Sequence, residues 1–312
     1  MRPLPLAKAV EFYLQKRRQL GFPLKEDGQM LHQLVAYALE HGHRGPLTSQ
    51  LPLAWAQLPA QASPLWWARR LDAARRFAAF WSAFDPRTQV PPPGVLGPSY
   101  RRRSVHLYSG EQITVLMQRA RQLEGLRGLT FQTLIGLLAC TGLRIGEALR
   151  LQEQDIDWRA SLLMVRHSKL CRSRCLPIQA STLSALDGYR QQRRKHLRQT
   201  NPTPLFVGKN GRAMAYLEAA RTFASLRQHL GWTQPPVPRL HDLRHTFAVG
   251  CLIDWYRQGG DVAHKILGLA TYLGHSHIQG TYWYLSAVPE LLALTQARWR
   301  QLSTKPGGAH AS

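Results

Sequence analysis

Through much of the chain, apolar residues recur at three- and four-residue spacing, the period of a helix with one buried face. From Ala7 to Leu20, alanine, valine, phenylalanine, tyrosine and leucine follow that spacing until Gly21-Phe22-Pro23 ends it. The pattern resumes from Leu24 to His41 and stops at Gly42. A third long stretch, rich in Trp, Ala and Arg, runs from Ser63 to Phe84. The segment DPRTQVPPPGVLGPSYRRRS then breaks every periodicity, because its Pro and Gly exclude a regular element. This predicts a helical domain over residues 1–90, an extended linker over 91–106 and a second domain over 107–312.

The second domain reads as mixed. Ser109-Gly110-Glu111 has the residue types of a helix start. Helices are predicted over Leu129 to Cys140, Ile145 to Leu151, Ser181 to Arg198, Leu217 to Gly231, Asp242 to Gln258 and Pro289 to Leu302. Between them IDW, SLLMVRHS and SRCLPI alternate Val, Ile, Leu and Met with polar turns, which predicts three short strands. The fold class is therefore mainly α with a small antiparallel sheet, an α+β arrangement. No internal repeat stands out.

Charge changes the picture more than composition does. Hydrophobic residues make up 44% of the 312, enough for a core in each domain. Lys and Arg number 41 against 18 acids, a formal charge of +23. Such an excess costs stability through self-repulsion, so it points to a polyanionic partner, nucleic acid above all. A GC-rich genome would explain the preference for Arg over Lys but not the shortage of acids. Charges interrupt the apolar positions of MRPLPLAKAVEFYLQKRRQLG, so no signal peptide is expected, and no apolar run approaches a membrane span. Cys140, Cys171, Cys175 and Cys251 fit free thiols in a reducing compartment. Cys171 and Cys175 form a CxxxC pair with no second pair at zinc-site spacing, so no metal is expected there. The expectation is a cytoplasmic, nucleoid-associated protein with no cofactor and no membrane.

The candidate chemistry lies in an ordered series: Arg144, Lys169, His241 with Arg244, His275 and Tyr284. Cationic and proton-sharing groups followed by a phenol can break a phosphodiester without a metal. The phenol attacks phosphorus, the arginines hold its oxygens, and the lysine and histidines move protons. TGLRIGEALRL resembles the first arginine motif of the tyrosine recombinase (phage integrase) family, with Arg144 followed three positions later by Glu147. HDLRHTFA resembles its His-x-x-Arg box, and YLGHSHIQGTYWYL its final box, with Tyr284 nine residues after His275. MVRHSKLCRSRCLPI resembles its β-hairpin, whose turn lysine would be Lys169. The resemblance covers roughly residues 107–303. It implies an N-terminal domain that binds the DNA core site and a C-terminal catalytic domain. It further implies a site-specific DNA recombinase working through a 3′-phosphotyrosyl intermediate, as a tetramer on paired sites in double-stranded DNA. The TYWYLSAVPEL stretch and a long segment between Arg244 and His275 are similar to transposon-borne recombinases, some of which act with sister recombinases.

Several alternatives stay open at this level. Glu147 is expected to orient Arg144 rather than touch DNA. Arg172 and Arg174 compete with Lys169, and the Ser-Lys-Leu turn departs from the glycines of many members. His245 and His277 read as structural neighbours of the catalytic histidines and are left out of the catalytic set. Tyr282 and Tyr284 are two apart, so on a helix they face different ways; alignment on His275 chooses Tyr284, with Tyr282 as the alternative. Arg101, Arg102 and Arg103 fit a phosphate backbone or a solvated loop equally well, and PELLALTQARWRQL fits packing on its own domain or on a neighbouring subunit. A type IB topoisomerase and a non-catalytic DNA-binding accessory subunit are the rival functions.

Overall fold

The computed structural model describes residues 5–101, 104–166, 173–197, 204–259, 261–275, 277, 279–287 and 289–303, with side chains described except at 286, 287 and 297–303. The chain forms two compact units, one up to Arg103 and one from Ser104 onward.

Among the described residues the first unit contains four helices: α1 (Leu6–Gln19), α2 (Lys25–Glu40), α3 (Gln50–Gln57) and α4 (Pro64–Trp81). Ser63 caps α4 by accepting the Trp66 amide, and Pro64 occupies the first turn, where its missing N–H costs nothing. The apolar stripes meet in one core built on Leu14, Leu31, Leu34, Trp55 and Phe77. Arg70 is buried there because its guanidinium lies 4.0 Å from the Trp55 ring centre and donates to the Trp55 carbonyl. Arg76 joins Asp27 of α2 to Asp72 of α4. After α4 the chain carries no helix or strand through residues 86–101 and 104–109, as the Pro/Gly break predicts.

In the second unit, a capping box of Ser109 and Gln112 opens α5 (Gly110–Arg121). Then come α6 (Leu126–Thr141) and the single-turn α7 (Ile145–Ala148). A three-stranded antiparallel sheet follows, β1 (Ile156–Asp157), β2 (Leu162–Val165) and β3 (Arg174–Pro177), in the order β1-β2-β3. Leu163 pairs with Ile156 on one side and Leu176 on the other, so all three turn one apolar face to the core. Next are α8 (Ala180–Leu197), α9 (Tyr216–His229), α10 (Leu240–Gln258), α11 (Val262–Leu273), α12 (Gln279–Ala287) and α13 (Pro289–Ser303). Phe131, Leu134, Leu163, Leu186 and Phe206 centre one core, while Leu252, Ile266, Leu273, Tyr284 and Leu291 centre a second. The N-terminal end of α10 belongs to the first core and the rest to the second, so α10 joins the two.

The helices α3, α11 and α12 were not among the expected elements. The other helices and the three strands fall within a few residues of their predicted places. No helix is long and apolar enough to cross a membrane, and no metal-ligand cluster occurs, among the described residues. Cys140, Cys175 and Cys251 are free; Cys171 lies outside the described residues.

Candidate active site

Two helix ends supply the frame. An α-helix leaves its last four carbonyls without intrahelical partners, and they carry the negative end of the helix dipole. Both α6 and α11 end in a left-handed glycine, Gly142 at φ 60° and Gly274 at φ 67°. The turn after Gly142 leads directly to Arg144, which stands just before α7, and the turn at Gly274 leads to His275. Glycine is required at both places for space as well as for φ. A Cβ on Gly142 would lie 2.5 Å from the Phe247 ring, and one on Gly274 would lie 2.8 Å from Arg174 Nη1.

The orphan carbonyls are met by two arginines. Arg244, buried on α10, donates from Nη1 to the Gly142 carbonyl (2.8 Å) and from Nη2 to the Leu273 carbonyl (2.7 Å). Arg144, half-buried, donates from Nη1 to the same Leu273 carbonyl (3.3 Å) and from Nη2 to the Gly274 carbonyl (2.9 Å). One peptide oxygen thus serves both guanidinium groups. Burial, with Arg144 beside it, pulls Arg244 down to about 10, which leaves it charged at neutral pH.

Glu147 orients Arg144, as its spacing from that residue predicts. It is buried, receives Arg144 Nη1 (2.9 Å), and forms a two-bonded fork with Arg174 (3.1 and 2.9 Å). Burial alone would raise this carboxyl, but the bonds and charge of Arg174 and Arg144 outweigh it and hold it at about 2. Arg174 also donates from Nε to the Tyr272 carbonyl (2.7 Å), linking β3 to the end of α11. Arg174 therefore faces the carboxylate behind Arg144. Lys169 itself lies outside the described residues, as does Arg172; β2 and β3 flank them.

The histidines take three distinct positions. His241, exposed on the first turn of α10, meets the His245 ring edge-on at 4.6 Å. His275 turns Nδ1 toward the Thr281 hydroxyl of α12 (2.7 Å), which leaves Nε2 for a substrate. Burial and the neighbouring Arg244 and Arg144 push His275 down to about 4, so its ring is neutral at pH 7. His277 is exposed.

On α12 the two tyrosines face opposite ways. Tyr282 is 43% exposed, whereas Tyr284 is 2% exposed and directed at the arginines. Its hydroxyl lies 2.9 Å from His245 Nδ1. Burial holds the phenol above its ordinary value, while Arg244, hydrogen-bonded to it, and Arg144 pull the other way. Arg144, Arg244, His241, His275 and Tyr284 are therefore gathered in one place, with His245 among them. From sequence alone His245 reads as a structural neighbour of His241. Its one available signal was position: it follows His241 by one helical turn on a segment that also carries Arg244.

A family model described as the phage integrase family matches residues 108–290, the span that holds all of these side chains. The chain belongs to the phage integrase family. Phage integrase relatives in Sinorhizobium fredii (strain NGR234) include one named "Putative integrase/recombinase y4rB", 40% identical over 295 residues, covering 91% of this chain and 94% of the relative. A second from the same organism, y4rE, is 31% identical over 307 residues, covering 94% and 95%. Among solved folds, the Tn1549 transposon integrase bound to transposon right end DNA superposes with a TM-score of 0.70 at 16% identity, covering 96% of this chain and all of that one. This integrase is a site-specific DNA recombinase, an enzyme that cuts and rejoins DNA strands.

Proposed function

We propose that Tyr284 is the nucleophile of strand cleavage. Its oxygen attacks the scissile phosphorus in line, forms a 3′-phosphotyrosyl bond and releases a 5′ hydroxyl. Arg144 and Arg244 hold the non-bridging oxygens as charge grows on them, which lowers the barrier more than it aids binding. His275 through Nε2 and His241 from its exposed position donate to the same phosphate, and Lys169 protonates the departing 5′ oxygen. Because the ester energy is kept in the covalent link, a partner strand's 5′ hydroxyl reseals the DNA without ATP. The observation that carries this reading is the burial of Tyr284, and not Tyr282, beside Arg244 and His245.

Residues 1–90 act as the DNA core-binding domain, 91–106 as linker and 107–312 as the catalytic domain. The partner is double-stranded DNA with paired recombination sites, engaged by a homotetramer in the nucleoid. The occurrence of y4rB and y4rE in one organism favours sister recombinases acting beside this chain.

The test begins with duplexes recovered from a randomised pool as covalent adducts of the full-length protein. Rebuilt with a nick beside the cleaved phosphate, they should trap wild type and Tyr282→Phe as adducts, and Tyr284→Phe not at all. An adduct that persists in Tyr284→Phe and disappears in Tyr282→Phe would overturn the assignment.

A further inference from the structure

We infer that His245 is a further catalytic residue: its Nδ1 takes the proton that the Tyr284 hydroxyl gives up as that oxygen attacks phosphorus. The inference rests on Tyr284 being the nucleophile. A phenol is a weak nucleophile until its proton leaves, so a base must lie within hydrogen-bond reach of the oxygen. His245 Nδ1 is 2.9 Å from that oxygen. Among the described residues the other candidates are engaged elsewhere or exposed. His275 gives Nδ1 to Thr281, Glu147 is committed to Arg144 and Arg174, and His241 is exposed one turn away.

The surroundings keep His245 neutral, with Nδ1 able to accept the phenol's hydrogen bond. The charged and titratable groups facing it are His241, Arg239 and Arg244 on α10 and its cap, His275 after α11, and Tyr284 on α12. None of them is a carboxylate. Burial, with His241, Arg239 and Arg244 close by, pushes the imidazole down to about 3, so at neutral pH it is unprotonated and can receive the phenol's hydrogen bond. Nδ1 is then the acceptor and Nε2 carries the hydrogen. A bound phosphodiester brings a negative charge into the cluster, which favours imidazolium just when the proton must move.

The step balances. The Tyr284 O–H bond breaks and its proton joins Nδ1. The oxygen's electron pair forms the bond to phosphorus, and the bond from phosphorus to the 5′ oxygen breaks, that oxygen gaining its proton separately. In resealing, the imidazolium returns its proton to the phenolate leaving phosphorus.

The experiment separates proton transfer from mere support of the ring. In His245→Asn the amide oxygen replaces Nδ1 as an acceptor but cannot take a proton. On the nicked duplexes described above, the full-length variant should cleave about a hundredfold more slowly than wild type while binding as tightly. Trifluorotyrosine at position 284, a more acidic phenol, should restore at least about tenfold of that loss, and should speed the His245 protein far less. Wild-type cleavage by His245→Asn, or a loss that the acidic phenol does not recover, would overturn the inference and leave His245 a packing residue. His245→Gln serves in the same comparison should His245→Asn fold poorly by its melting transition. An adduct in Tyr284→Phe would instead refute the nucleophile assignment, so the two failures are distinguishable.

Discussion

Glu147 carries two cations on one buried carboxylate, and its consequences can be worked out for that residue alone. Its folded value of about 2 lies below the ordinary 4.5, so the folded state favours the ionised form. The resulting stabilisation is complete above pH 4.5 and is lost as pH falls through 2. Glu147→Gln should therefore lower stability at pH 7 by about 3 kcal/mol, because Arg174 would stay largely shielded from water with its charge unmatched. Urea unfolding of both proteins should give the same difference at pH 7 and pH 5, narrowing only below 4.5. A difference already shrinking between pH 7 and pH 5 would refute the ion-pair account. The role of Glu147 could be read from the sequence because three residues of spacing put it one helical turn from Arg144. The contact between His245 and Tyr284 could not, because it depends on how α10 and α12 are rotated about their axes, and no local spacing records that. Arg174 was visible as a cation near the hairpin turn, yet which carboxylate it meets is decided by residues 27 positions away.

Among the elements, those with a clear stripe or a clear stop were legible, and the three that escaped each lack one. The eight-residue α3 holds Pro52 in its first turn, too short for its period to register. The α11 sequence VAHKILGLATYL is apolar around most of its circumference and contains Gly268. QGTYWYLSA in α12 is weighted toward aromatic and branched residues, which favour strands when read in isolation. Packing against α10 and α13 overrides that preference. The glycine that ends α11 gives a prediction at this scale. Gly274→Ala must place a Cβ 2.8 Å from Arg174 at φ 67°, which costs about 1–2 kcal/mol in backbone strain alone. Denaturant midpoints should fall accordingly. Cleavage should fall further than stability explains, since the Gly274 carbonyl holds Arg144. Unchanged cleavage would mean that this turn does not set the arginine.

For the whole molecule, two units with separate cores and a charge of +23 suit an enzyme that makes many phosphate contacts. The logarithm of DNA affinity should fall linearly with the logarithm of salt concentration, with a slope of about −0.9 per phosphate neutralised. Residues 104–312 alone should give a shallower slope than the full chain, measured on one duplex by titration at several salt concentrations. Equal slopes and equal affinities would mean that the first unit contributes no phosphate contact.

The Leu273 carbonyl joins these scales. Because Arg144 and Arg244 both lean on it, the distance between their forks is written into the path of the main chain rather than into any side chain. Substitution at position 273 can alter packing but cannot delete the oxygen. Retargeting this integrase to new DNA by exchanging side chains that read the bases would leave the spacing of the two forks intact. A variant library could therefore range widely over sequence preference while every member inherits the same spacing between the two guanidinium groups.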